Sequence, residues 1–213
     1  MQTEAKARNF FKLIEELNLA INYSSSLKSA CYYCIINAEL FIEAKQKSTE
    51  YFNQLISADF ARANSSHMNE GVFGAYVWTQ HMAYSKMQFT AALLNCITSG
   101  NRLIKFMLLV RRLEGKDKSD WGKLRVSLKK LESDFIRFRN ILEHIDEMIG
   151  AKSPDAIDKD FGFSPQGMFN YKVKGLQFYF DFSEEESSQL IQLERLYNEF
   201  IEMLRKRSNP SAQ

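Results

Sequence analysis

Proline and glycine are scarce in this chain, three Pro and nine Gly among 213 residues. Both interrupt regular helices, and a many-stranded β fold needs them as punctuation, so their scarcity points to long helices. Cysteine is scarcer still. Three thiols in a chain this long exclude a disulfide framework and point to a reducing, cytoplasmic setting. Cys31 and Cys34 have redox-motif spacing, but no strand precedes them and no further ligands follow at zinc spacing. Both are expected to be small core residues. The three histidines, His67, His81 and His144, show no ligand spacing, and Glu-x-x-His does not occur, so neither a metal nor a cofactor is expected. Long apolar runs are missing too. Residues 91–110, the most apolar stretch, are interrupted by Asn95, Gly100, Asn101, Arg102 and Lys105, which argues against a membrane span. Glu4, Lys6 and Arg8 argue against a secretory signal.

What is abundant is aromatic and helical. Seventeen Phe and nine Tyr supply a core large enough for one domain of this length. Apolar residues recur at helical spacing over 3–22 (Phe10, Ile14, Leu17, Ile21) and over 27–58 (Ala30, Cys34, Ala38, Phe41, Ile42). A loop rich in small polar residues is expected at 59–74. A long helix follows over 75–113, with Val77, Tyr84, Met87, Ala91, Leu94 and Ile97 on its buried side and a kink near Ser99–Gly100. After a short charged turn, Ser119 or Asp120 caps a helix running to Ile149, which Gly150 ends. Residues 151–166 read as a linker.

At 167–182 the period changes from 3.6 to 2. Phe169, Tyr171 and Val173, then Leu176, Phe178, Phe180 and Phe182, alternate about Lys174–Gly175, which is a β-hairpin with one aromatic face. Ser183 to Glu186 reads as a capping box opening a last helix over 184–207. The expected fold class is therefore all-α: a single domain over 1–213, an antiparallel bundle of about four to five long helices. A linker and β-hairpin are inserted at about 151–182, before the last helix.

Net charge is only +2, but it is unevenly spread. From Arg102 to Arg139 twelve Lys or Arg face five Asp or Glu, a net of +7, which leaves −5 for the remainder. Such asymmetry suits a polyanion-facing surface. The basic stretch leads into residues 131–150, where Phe138, Ile141, Leu142, Ile145, Met148 and Ile149 make an apolar stripe. Beside it Arg137, Asn140 and His144 stand at i, i+3 and i+7, one column on a helix, with Arg139 on its flank. Guanidinium, amide and imidazole together are suited to phosphate chemistry: Arg presents a planar fork of donors, and His exchanges a proton near neutral pH.

Arg139-Asn140-Ile141-Leu142-Glu143-His144 resembles the R-N-x-x-x-H signature of HEPN ribonucleases, small all-helical proteins among toxins, antiphage abortive-infection factors and RNA-guided nucleases. The resemblance is sharp over about 133–147 and only architectural elsewhere. It implies a metal-independent endoribonuclease acting on RNA such as tRNA or mRNA. His144 would be general base or acid, Arg139 would stabilise the transition state, and Asn140 would orient the His or the phosphate. Arg137, with Arg102 and Lys105 from the preceding helix, would bind the RNA backbone. Because one motif supplies one His, it also implies a homodimer with a shared cleft, restrained or triggered by an antitoxin or a defence partner. In the toxin–antitoxin branch a Tyr stands second after the His. Here Asp146 takes that place, so control by Tyr modification is not expected. Glu143 and Asp146 beside His144 favour its imidazolium form. The alternative, from another class, is a non-catalytic dimeric bundle that binds RNA or a protein partner.

Overall fold

The computed structural model describes residues 25–64, 72–114, 120–143, 161–164, 166–173 and 176–208. Side chains are described for all of these except 25, 58–64, 72–83, 114, 120, 161–163, 171–173, 176 and 207–208. The expected first helix over 3–22 lies outside the described residues, as does the end of the motif helix at 144–150.

Among the described residues the chain is an antiparallel helical bundle carrying a small sheet. Four helices, α1 (Ser25–Asn64), α2 (Val72–Glu114), α3 (Asp120–Glu143) and α4 (Gln189–Ser208), surround one hydrophobic cluster. The strands β1 (Phe161–Ser164), β2 (Met168–Val173) and β3 (Leu176–Asp181) precede α4 and form an antiparallel meander in the order β1-β2-β3.

The helices form where apolar residues recur every three or four positions. α3 is the most regular: Trp121, Leu124, Leu128, Leu131, Phe135, Phe138 and Leu142 are all buried. Alternating steps of three and four give a narrow seam, the pattern of knobs packed into a neighbouring helix. α4 buries Leu190, Leu193, Leu196, Tyr197, Phe200 and Leu204, as its periodicity predicts. In α1 the buried side runs through Cys31, Cys34, Ala38 and Phe41 to Leu55.

α2 departs from the expectation. Its inward side is Phe89, Leu93, Cys96, Ile97, Leu103, Met107 and Val110, whereas Tyr84 is 60% and Met87 70% exposed, and Ala91 is exposed too. The stretch Tyr84–Leu113 is apolar enough to cross a membrane by length and composition, and half of its most apolar window is buried in the bundle. A helix so apolar all round gives a weak phase signal, so sequence periodicity picks the wrong side over its first half. Near Ser99–Gly100, where a kink is expected, the structure has a close approach between helices. α2 is helical throughout Val72–Glu114, and a Cβ on Gly100 would lie 2.3 Å from Phe135 Cε1 and 3.0 Å from Leu193 Cδ2. Glycine is there because α2, α3 and α4 meet at that point.

Both ends of the loop expected at 59–74 are helical, since α1 continues to Asn64 and α2 begins at Val72. The hairpin holds: Val173 pairs with Leu176 and Phe169 with Phe180. A third strand, β1, lies within the expected linker, pairing Phe163 with Phe169. At four residues it is too short to show a period.

The β1–β2 turn needs Gly167, whose φ is 84°. Its carbonyl accepts from Phe182 N at 2.9 Å, and a Cβ there would come within 2.9 Å of Ser183 Cα. The last helix starts later than the Ser183 capping box implies. Ser183 instead shapes a turn, accepting at Oγ from Glu185 N at 3.4 Å. Fully buried Ser188 caps α4 through Ile191 N at 3.3 Å. Gln189 Oε1 accepts from Asp181 N at 2.8 Å and fastens the helix start to β3.

Aromatic contacts hold the sheet on the helices. Phe180 lies 5.4 Å from Phe135 and 4.9 Å from Phe138, centroid to centroid, and Phe169 lies 5.9 Å from Phe138. Phe182 meets Phe52 of α1 edge-on at 4.9 Å and Phe89 of α2 at 5.3 Å. A lone hairpin is marginal in water. Each buried ring here contributes about 2–3 kcal/mol of transfer free energy, so the sheet's stability comes from this docking.

Candidate nucleic-acid interface

Arg137, Arg139 and Asn140 all fall in the last two turns of the described part of α3. At 3.6 residues per turn Arg137 and Arg139 are about 160° apart, on either side of the buried Phe138. They therefore have different surroundings. The Arg137 guanidinium sits over the Phe178 ring of β3, 4.9 Å from its centroid, and the side chain remains exposed. Asp134, one turn earlier, has its carboxyl raised above the ordinary carboxylate value by desolvation, opposed by the charges of Arg137 and Lys130.

Arg139 donates from Nη2 to Asn140 Oδ1 at 3.2 Å, and its Nε lies 3.3 Å from Glu143 Oε2. That second contact is ionic but out of line for a hydrogen bond, so the buried Nε–H is unspent among the described residues. The motif's Arg and Asn are thus joined side chain to side chain, as their adjacency suggests. Glu143 holds the guanidinium in the free protein. A partly exposed pair of this kind is worth about 0–1 kcal/mol, so a phosphate oxygen competes with it readily.

His144 lies outside the described residues, as does His67, and the side chain of His81 does too. Arg137, Arg139 and Asn140 are placed; His144 is not. Among the described residues no group of three His, Cys, Asp or Glu is arranged to hold a metal ion.

Arg102 and Lys105 are exposed on α2, three residues apart on one face, with no ion-pair partner among the described residues. Gly100 crosses α3 at Phe135, and the helices run antiparallel. Arg102 and Lys105 therefore lie on the opposite side of that crossing from Arg137 and Arg139, on the order of 10 Å away along the bundle axis. They extend a basic surface rather than join the motif. Lys123, Arg125, Lys129 and Lys130 add exposed positive charge along α3, with Lys129 paired to Glu132 at 2.6 Å.

Cys31, Cys34 and Cys96 are buried free thiols. Burial pushes the Cys34 thiol well up, with Cys31 adding to the shift, and burial likewise raises Cys96. A neutral thiol without solvent access is neither a nucleophile nor a ligand, which fits the core role expected for Cys31 and Cys34.

The residue that sequence reasoning missed is Phe178. It reads as one of a hairpin's apolar alternates, and only the packing of β3 against α3 brings it under Arg137. No local pattern carries that information. The chain matches no protein-family model, no curated protein and no solved structure.

Proposed function

We propose that this protein is a metal-independent endoribonuclease of HEPN type. The observation that carries the reading is the Arg139–Asn140 pair on α3, directly before Glu143 and His144 and on the helix that exposes Lys123, Arg125, Lys129 and Lys130. In this mechanism Arg139 leaves Glu143 for a non-bridging phosphate oxygen, and its guanidinium neutralises charge that grows in the pentacoordinate transition state. Asn140 holds the guanidinium in register through the bond it already makes. His144 takes the proton of the RNA 2′-hydroxyl as its oxygen attacks the adjacent phosphorus. The P–O5′ bond breaks, and the leaving oxygen takes a proton from a second imidazole, His144 of the partner subunit. The products are a 2′,3′-cyclic phosphate and a 5′-hydroxyl. Each proton transfer is worth about 10²–10⁴-fold in rate.

The reading entails a homodimer with a shared cleft in the cytoplasm, and a regulator, an antitoxin or defence partner, that keeps the enzyme from its own cell's tRNA or mRNA. Arg137, Arg102 and Lys105 act on backbone phosphates.

A second reading is favoured by a separate observation. Tyr33, Ile36 and Leu40 form an exposed apolar stripe on α1, and Tyr84 and Met87 are exposed on α2, a surface suited to a protein partner. On that reading the bundle binds without cutting.

The test is incubation of purified protein with mixed tRNA and mRNA in EDTA, followed by end analysis. The nuclease reading expects fragments with cyclic-phosphate and 5′-hydroxyl ends. Intact RNA, together with no toxicity on expression in a host that tolerates His144→Ala equally, would leave the binding module.

A further inference from the structure

The sheet ends in two unequal edges. β1 has four residues, whereas β3 (Leu176–Asp181) has six. In the register of β2 and β3, continued by Phe182 N donating to Gly167 O at 2.9 Å, the N–H and C=O of Phe178 and Phe180 turn toward β2. Those of Gln177, Tyr179 and Asp181 turn outward. Asp181 N donates to Gln189 Oε1 at 2.8 Å. The backbone N–H and C=O of Gln177 and Tyr179 have no partner among the described residues. Gln177 is exposed, and Tyr179 is 49% exposed. Soluble proteins usually blunt such an edge with lysine, proline, a bulge or a covering element. β3 pairs with β2 without a bulge, and residues 176–180 carry neither charge nor proline.

We propose that the free edge of β3 receives β3 of a second copy of this chain, so that two sheets join antiparallel into one of six strands across a twofold axis. Self-complementarity selects this occupant. A pair centred on Phe178 sets Gln177 opposite Tyr179 of the partner subunit, and the reverse, which satisfies every open N–H and C=O of those residues on both copies. Centring on Tyr179 would instead set Gln177 opposite a residue whose N–H Gln189 already holds. In the first register no like charges meet, and Gln177 covers an exposed tyrosine ring across the joint. The contact is isologous, so it closes at a dimer instead of growing into a filament. A joint of one strand pair buries less than a standard interface, so assembly depends on concentration. The inference does not need the ribonuclease reading; it names a surface on which the dimer of that reading forms. The axis passes beside Phe178, and Arg137, seated 4.9 Å from the centre of that ring, is carried to the joint.

Sedimentation of the full chain should show a monomer–dimer equilibrium that moves with protein concentration. Gln177→Pro and Tyr179→Pro each delete an N–H that bonds nothing within the chain, a change that edge strands tolerate. By symmetry each removes two hydrogen bonds from the dimer and should raise its Kd about ten-fold or more, with a folded monomer by circular dichroism. Register is read by cross-linking. Phe178→Cys should form an intersubunit disulfide under mild oxidation, because directly opposed residues meet there. Tyr179→Cys should not, because its own copy stands two positions away, about 7 Å or more. The native thiols are buried, and the cross-link decides alone if a proline variant fails to fold. A monomer at every concentration overturns the proposal, as does a dimer that folded proline variants leave intact. Cross-linking of Tyr179→Cys as readily as Phe178→Cys overturns it too. RNA cleavage is scored separately. A β3 dimer that cuts nothing removes the nuclease reading alone, and a cutting dimer indifferent to both prolines removes the β3 joint alone.

Discussion

On one side of α3, side chains from Trp121 to Leu142 are buried at alternating steps of three and four. On the other, Lys129, Lys130, Arg137 and Asn140 of the same helix are exposed. The first side is set by packing: Trp121 meets Phe200, Phe138 meets Phe169 and Phe180, and Phe135 leaves no room for a side chain at Gly100. The second is free to vary as far as folding is concerned, because a helix with a solvated lysine face folds as well as one with this arrangement. What is specific on the polar side, an Arg–Asn pair tied to Glu143 and an Arg laid on Phe178, has little to do for stability and is where function is to be sought.

Substitutions on the two sides should separate stability from activity. The largest expected effect on stability is Phe135→Ala, which removes the ring packed on Phe180 and Gly100. It should cost on the order of 3–5 kcal/mol in urea unfolding. Gly100→Ala comes next, at about 1–3 kcal/mol from overpacking. Combined with Phe135→Leu it should cost less than the sum, because the two changes relieve one contact. Ser188→Ala removes the cap of α4 and should cost about 1 kcal/mol. Arg139→Ala inverts the pattern: a stability change of about 0.5 kcal/mol or less, set against a loss of cleavage of at least about 10²-fold.

The smallest effect concerns pH. The folded-state carboxyl of Asp134 is raised, first by desolvation. Between its unfolded and folded pKa values the native state binds more protons than the unfolded one, so its contribution to stability falls as pH rises through that window. Urea midpoints measured across the carboxylate range should decline less with rising pH in Asp134→Asn than in the parent. An identical decline would mean that burial of Asp134 is not felt.

Much of this fold could be read from the sequence because its signals are local. The 3.6-residue period of α4 and the period-2 alternation about Lys174–Gly175 are properties of neighbours along the chain. Where the reading slipped, the deciding contact was remote. Tyr84 and Met87 looked buried because α2 is apolar all round, and only its packing against the bundle fixes the phase. The close approach at Gly100 was not legible because a glycine's neighbour across the bundle is invisible in the sequence. The candidate site divides in the same way. Arg137, Arg139 and Asn140 were found from spacing, whereas Phe178 depends on how the sheet docks on α3.

The central claim is that the Arg139–His144 pairing cuts RNA without metal. Cleavage of mixed RNA in EDTA by the unmutated protein, Arg139→Ala and His144→Ala, with all three shown to be equally stable, tests it most directly. The account predicts that the unmutated protein cuts to cyclic-phosphate ends and that both variants are silent. Cleavage that survives in either variant, or that appears only when a divalent metal is supplied, would contradict it.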